Sequence, residues 1–91
     1  MKKTHPITSL EQTKILADSR RMQILRWLMD QPATLTQLGA RLGKTPARVR
    51  HHVQKLVDAN LVEQAEIRVR GTVTEKFYRA KAGAFLLQKM I

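Results

Sequence analysis

The sequence predicts a small, mainly helical domain with a β-hairpin towards its C-terminal end. Apolar residues recur at helical spacing in four segments between residues 9 and 59, and capping residues or prolines separate these segments. After residue 60 the apolar spacing changes to alternation around a Gly-Thr turn, which is typical of two paired strands. The length of 91 residues favours one domain, with residues 1–8 as a flexible basic tail and residues 9–91 folded.

Two helices are predicted before the first internal proline. Ser9 lies three residues before Gln12, which is the spacing of a capping box, so the first helix is expected to begin near residue 10. Asp18 has the side chain of an N-cap for the second helix, residues 19–29. This helix ends at Gln31, because a residue that precedes proline disfavours helical geometry. Its apolar face contains Ile24, Leu25 and Leu28.

The third and fourth helices are predicted to be joined by a very short turn. Thr34 and Gln37 form a second capping-box pattern, and Gly43 is a natural C-terminal stop for that helix. Thr45-Pro46 then begins a fourth helix that runs to about Ala59, because proline is favoured at the first helical position. Two short helices with such a joint are typical of a helix-turn-helix. Their inner faces contain Leu35, Leu38, Leu42, Val49, Val53 and Leu56, while Gly39 permits a close helix contact and Asn60 suits a left-handed end.

The alternation after residue 60 predicts a two-stranded wing. The first strand is expected to be half-buried, with the side chains of Ala65, Ile67 and Val69 directed toward the core. The alternating side chains of Glu66, Arg68 and Arg70 then point toward solvent. Gly71-Thr72 is the turn, and residues 73–80 form the returning strand, in which the sequence does not indicate whether Phe77 or Tyr78 is buried. The fold class is therefore a winged helix-turn-helix: a three-helix core, a two-stranded wing and flanking terminal helices, the last over residues 82–91.

The charge balance predicts a polyanionic partner. Lys and Arg number 17 against 7 Asp and Glu, a formal net charge of +10. Because such a surplus repels itself in the compact state, nucleic acid is the expected partner, ahead of an anionic membrane surface. No apolar run approaches the ~18 residues of a membrane-spanning helix.

The outer face of the fourth helix is the candidate DNA-reading surface. With Val53 and Leu56 inward, a step of about 100° per residue turns Ala47, His51, Gln54 and Asp58 outward, and basic side chains flank them. Arg can pair with guanine edges and Gln with adenine, while the helix N-terminus favours a phosphate. The candidate DNA-binding residues are Thr45, Pro46, Ala47, Arg48, Arg50, His51, Gln54 and Lys55, with Arg68 and Arg70 on the wing for the backbone or the minor groove.

Residues 15–80 resemble the winged helix-turn-helix domain of arsenic-repressor-type (ArsR-like) bacterial transcription regulators. The matching stretches are Leu16-Ala17-Asp18-Ser19-Arg20-Arg21-Met22-Gln23-Ile24-Leu25, Thr34-Leu35-Thr36-Gln37-Leu38-Gly39-Ala40-Arg41-Leu42-Gly43 and Val49-Arg50-His51-His52-Val53-Gln54-Lys55-Leu56. Asn60-Leu61-Val62 and Phe77-Tyr78-Arg79-Ala80 resemble the family's hairpin. The resemblance implies a homodimeric, sequence-specific repressor that binds double-stranded DNA. It places Thr45, Ala47, Arg48, Arg50 and His51 where the family reads DNA.

The chain departs from the metal-sensing members that it resembles. It has Leu38-Gly39-Ala40 where those members carry a cysteine pair, and residues 82–91 contain neither Asp nor His. The resemblance therefore implies no metal sensing, and no metal or other cofactor is predicted. Residues 82–91 are apolar, and we expect Leu10, Leu86, Leu87 and Met90 to form a dimer interface. The other interpretation is that they are a boundary to a further C-terminal region that senses an unknown effector.

The residues do not predict an enzyme. The chain has no cysteine, its carboxylates are few and dispersed, and it contains no glycine-rich phosphate loop. The lack of cysteine is compatible with the cytoplasm, which is the expected location. The alternative function is a winged-helix module for protein interaction or dimerisation without specific DNA binding, because fold alone does not determine function. Two interpretations of His51 remain, a DNA contact or a solvent-exposed surface residue. His52 is expected to pack at the edge of the core.

Overall fold

Four helices and one antiparallel hairpin make up residues 10–81, the part of the chain that the computed structural model describes. The elements are α1 (Leu10–Leu16), α2 (Ser19–Asp30), α3 (Leu35–Leu42), α4 (Pro46–Asp58), β1 (Val62–Arg70) and β2 (Val73–Ala80). This order confirms the predicted fold class, and the boundaries of α2 and α4 differ from the predicted ones by one residue. Within residues 10–81, no helix is long and apolar enough to cross a membrane.

The predicted helix caps are present where their residues are described. The Asp18 carboxylate accepts from the backbone N–H of Arg20 at 2.8 Å, which satisfies a free donor at the start of α2. At the start of α3, the Thr34 hydroxyl accepts from the Gln37 N–H at 3.1 Å and the Gln37 side chain accepts from the Thr34 N–H at 2.9 Å. This is a complete capping box. Asn60 adopts the left-handed conformation after α4, with φ of 67°.

The core lies between α2, α3 and α4 and is closed by the base of the wing. The predicted inner residues of α2 and α4 are buried, together with Leu38 of α3. Leu61 and Val62 extend the same cluster into the start of β1, which fixes the wing to the helices. Gly39 is also buried, and its lack of a side chain lets the turn before α4 pass close to α3. This packing determines the direction in which α4 points.

The sequence predicts that β1 is half-buried, and this prediction is wrong for the part of the strand next to the hairpin turn. Every residue from Glu66 to Thr74 is exposed, and Ile67 and Val69 are 52% and 68% exposed. The strand has an irregular register between Gln64 and Glu66. Beyond that point the hairpin faces the helices only across an open groove, which Val73 and Thr74 line with α3 and α4. Alternation predicts which residues share a face, but it does not predict whether another layer covers that face.

Phe77 and Tyr78 are both covered, on opposite faces of β2. Phe77 is buried, and the Arg68 guanidinium lies 4.5 Å from the centre of its ring. Tyr78 packs against the core, and its backbone pairs with Ala33 at the end of the α2–α3 connection. The basic tail 1–8, the cap at Ser9 and the terminal helix 82–91 lie outside the described residues.

Candidate nucleic-acid interface

One side of α4 is anchored in the core and the other is exposed. Val49, Val53 and Leu56 are buried on the inner side, which prevents the helix from rotating. The predicted DNA-reading residues Thr45, Pro46, Ala47, Arg48, Arg50, His51 and Gln54 are all exposed, and Lys55 is half-buried. The arrangement that the sequence predicts for this helix is therefore the one in the structure.

The N-terminus of α4 is built from Thr45 and Pro46. The Thr45 hydroxyl accepts from the Arg48 N–H at 3.3 Å, and Pro46 at the first helical position has no N–H that needs a partner. The first turn contains no acidic residue. Because the positive end of the helix dipole also lies here, the potential at this end favours an anion.

Cationic side chains lie on both sides of α4. A groove of about 420 Å³ between α4 and the start of α2 is lined by Arg20, Lys44 and Arg48, and we name these three residues the α2-side cluster. Ala47, His51 and His52 line the same groove. A second groove of about 480 Å³ lies between α4, α3 and the wing. It is lined by two cationic and two hydroxyl side chains, which we name the wing-side cluster: Arg50, Lys76, Thr36 and Thr74.

The two arginines of α4 are free of acidic partners. Within residues 10–81, no carboxylate forms an ion pair with Arg48 or Arg50. Asp58 is the acidic residue at the far end of the outer face, and it accepts from the Gln54 amide at 2.9 Å. The N-terminal two-thirds of the exposed face is therefore open to an anionic ligand.

Arg21 connects α4 to the start of α2. Its guanidinium donates to the Ile15 carbonyl oxygen at 2.6 Å and lies 3.3 Å from Nδ1 of His52. Because arginine is always a donor, this contact requires an unprotonated Nδ1. Burial lowers the pKa of His52, the Asp18 carboxylate opposes that change, and the Arg21 guanidinium adds to it. His52 thus lies at the edge of the core, as expected, and not on the reading surface.

Asp18 stays ionised beside this contact. Burial opposes its ionisation, but the N–H groups of Arg20 and Arg21, together with the charge of the Arg21 guanidinium, hold its pKa below the ordinary value. Its carboxylate also lies 3.8 Å from the Arg20 guanidinium and 4.0 Å from that of Arg21.

The wing arginines are engaged by carboxylates of the wing itself. Arg68 donates to both oxygens of Glu66, at 3.0 and 3.2 Å, and this hydrogen bond lowers the pKa of Glu66. Arg70 lies 3.5 Å from Glu75. Both arginines are exposed, but their charges are partly neutralised, and neither lines the groove beside α4.

Sequence reasoning missed three cations that the fold brings to α4. Arg20 of α2 lies in the α2-side cluster with Lys44. Lys76 lies on β2 and reaches the wing-side cluster because the hairpin returns beside α3 and α4. Lys44 could have been identified from the sequence, because it lies in the three-residue turn before α4. No neighbouring sequence feature identifies Arg20 or Lys76. Within the described part of the chain, no group of three metal-ligating side chains is close enough to hold an ion.

The sequence of this chain matches a known protein family over the segment that forms the helix-turn-helix. A family model described as "Bacterial regulatory protein, arsR family" matches residues 18–64, which is just over half of the chain. The matched segment runs from the N-cap of α2 to the start of β1 and contains the whole helix-turn-helix. No curated protein sequence matches the chain significantly.

Several solved structures are similar to this one. The transcriptional regulator HlyU from Vibrio vulnificus CMCP6 is 26% identical, with 89% of this chain and 84% of that chain covered and a TM-score of 0.64. The homodimeric winged helix-turn-helix DNA-binding domain of Mb0332 from Mycobacterium bovis is 28% identical, with 87% and 68% covered and a TM-score of 0.65. NolR from Sinorhizobium fredii, at 20% identity over 88% of this chain and 77% of that chain, has a TM-score of 0.67 and shares the fold.

Proposed function

Because this chain belongs to the arsR family of bacterial regulatory proteins, which are winged-helix transcription regulators, we propose that it is a sequence-specific, homodimeric DNA-binding repressor. In this proposal α4 enters the major groove, and the wing follows the backbone or the minor groove. The observation that carries the proposal is the outer face of α4, which is exposed and basic and carries no acid before Asp58.

The proposed homodimer places two copies of α4 on one duplex. The recognition helices of such a dimer meet successive major grooves about 34 Å apart, so the site is a pseudo-palindrome. Leu10 on α1 is 71% exposed, and an apolar side chain at that exposure is suited to a contact with a second copy. The similar domain of Mb0332 is itself homodimeric. Leu86, Leu87 and Met90 complete the proposed interface.

A salt titration of DNA binding tests the proposal. If each protomer neutralises about four phosphates, the slope of log K against log salt for the dimer is near −7. The duplex is first selected from a random pool, and its affinity is compared with that of a scrambled duplex of the same composition. A flat salt response, or equal affinity for both duplexes, would reject a sequence-specific regulator.

Arg26→Ala is the matched control for this titration. Arg26 is exposed on α2 and lines neither the α2-side cluster nor the wing-side cluster, so its loss removes one charge without removing a predicted DNA contact. We expect its slope to equal that of the wild type. A slope that changed as much in this variant as in variants of α4 would indicate a response to net charge alone.

The second candidate function is a protein-interaction module. It is favoured by the apolar residues exposed on the wing, namely Ile67, Val69 and Val73. A chemical-shift titration with duplex DNA separates the two candidates. Shifts at Arg48 and Arg50 support the regulator. Shifts that spare both arginines and are confined to the exposed apolar wing, or to Leu86, Met90 and their neighbours, support the interaction module.

A further inference from the structure

We infer that Arg48 and Arg50 each hold a phosphate, on opposite strands of the duplex, and that bases are read between them by Ala47, His51 and Gln54. This inference rests on the proposed DNA-binding function and assigns separate tasks within its surface. It also assigns Arg20 and Lys44 to one phosphate site and Lys76 to the other. The ligand class at both sites is a DNA phosphodiester.

The positions of the two arginines on the helix separate them. Residues two apart on an α-helix differ by about 200°, so Arg48 and Arg50 point to opposite flanks of α4. Ala47, His51 and Gln54 fall within about 60° of one another, between these flanks. The two arginines therefore cannot both face the floor of one groove, whereas the three central residues can.

The surroundings of each arginine agree with this division. Arg48 shares its groove with Arg20 of α2 and Lys44 of the turn, and Ala47 and His51 of the central face also line it. Arg20 is partly neutralised, since its guanidinium lies 3.8 Å from Asp18, but Lys44 forms no ion pair within residues 10–81. A site made of several cations from three separate elements suits a phosphate, which accepts hydrogen bonds from many directions.

Arg50 has an independent set of neighbours on the other flank. Lys76 of β2 supplies a second cation there, and the hydroxyls of Thr36 and Thr74 supply donors that also bind phosphate oxygens. Glu75 lines the same groove, and its carboxylate lies 3.5 Å from Arg70. The cationic groups of this flank therefore come from α4 and the wing and not from α2.

The width of the DNA major groove explains how the two clusters reach two different phosphate backbones. The major groove is about 12 Å wide, and an α-helix with its side chains is about 10–12 Å across. A helix that fills the groove presents its flanks to the two phosphate backbones and its central face to the base edges. Phosphate contacts then fix the position of α4, and the central residues determine the sequence.

The test compares Arg48→Ala, Arg50→Ala and Gln54→Ala on a selected duplex and on duplexes changed at one base pair each. Loss of one phosphate contact per protomer removes two contacts from the dimer, so the salt slope becomes less steep by about 1.8. At 0.15 M salt this corresponds to an affinity about 30-fold lower. We expect that loss for Arg48→Ala and Arg50→Ala on every duplex. Arg26→Ala is the control and leaves the slope unchanged.

Gln54→Ala is expected to behave differently. Its salt slope stays the same, and the preference for the selected base pair at one position of each half-site falls about tenfold or more. Lys44→Ala is expected to repeat the effect of Arg48→Ala, because the two residues share a cluster. Circular dichroism of each variant verifies the fold, and all these side chains are exposed.

The results distinguish this inference from the proposed function. A wild-type protein that prefers one duplex, combined with an Arg48→Ala or Arg50→Ala variant that loses the preference at one base pair, would overturn the division of tasks alone. Unchanged affinity in either arginine variant would overturn it as well. A wild-type protein without affinity for any duplex would remove both the inference and the function on which it depends.

Discussion

The angle between α3 and α4 is expected to depend on Gly39. A Cβ atom built on Gly39 would lie 2.6 Å from the backbone oxygen of Lys44 and 3.5 Å from the backbone nitrogen of Pro46. Both atoms belong to the segment that leads into α4. Gly39→Ala therefore forces the turn away from α3 and displaces the N-terminus of the helix on which DNA binding is proposed to depend.

Two opposing effects determine the size of this perturbation. Alanine favours a helix over glycine by about 1 kcal/mol, which would stabilise α3. Against this, the contact must open from 2.6 Å to at least 3.0 Å, and the neighbour is backbone, which cannot rotate away. The Gly39 carbonyl also accepts from the Lys44 N–H at 2.9 Å, so the shift strains that bond. With about 1–3 kcal/mol for overpacking, we expect a net loss of about 1 kcal/mol.

Thermal unfolding followed by circular dichroism measures the effect. A loss of about 1 kcal/mol lowers Tm by about 4–8 °C in a domain of this size. The control is Ala40→Gly, an exposed position of the same helix. It changes helix propensity without a steric contact and leaves the DNA affinity of the folded protein unchanged, whereas Gly39→Ala lowers that affinity. A Gly39→Ala variant at least as stable as the wild type would refute the reasoning.

Three further outcomes are expected. Thr34→Ala removes the capping box of α3 and leaves the Gln37 N–H without its acceptor, so it lowers the free energy of unfolding by about 1 kcal/mol in urea denaturation; an unchanged midpoint would contradict this. The pKa of His52 is lower in the folded protein than in the unfolded chain, so the unfolded chain binds the proton first and stability falls as pH drops below about 6.5. His52→Gln should flatten this part of the pH–stability curve, and an equally steep curve would exclude His52 as its source. Ile67→Thr with Val69→Thr should change stability by less than about 0.5 kcal/mol, because both side chains are exposed, and a larger loss would indicate that they are covered in the protein in solution.

The helices were predictable because their signals are local. An N-cap acts on N–H groups two or three residues away, so Asp18, Thr34 and Thr45 could be identified from their immediate neighbours. The outer face of α4 was predictable for a similar reason. Once Val53 and Leu56 are inward, the helical period determines the direction of every other side chain on that helix.

The wing was only partly predictable because its environment is not local. The alternation of Ile67 and Val69 indicated a strand correctly, but the exposure of both residues depends on whether another element packs against that face of the hairpin. The irregular register after Gln64 is likewise a property of the pairing between two strands. Charge raises the same difficulty at Arg70, because its partner Glu75 lies on the other strand and reaches it only when the hairpin is formed.

The amino-acid order by itself determined four helices, a hairpin and a cationic outer face on the fourth helix, because caps and periodicity act over a few residues. Only the tertiary structure decided which cations meet beside that helix. Arg20 and Lys76 are far from α4 in the chain, and packing alone brings them to its two sides. The physical reason is that electrostatic potential depends on distance in space, which sequence spacing does not reveal until the chain is folded.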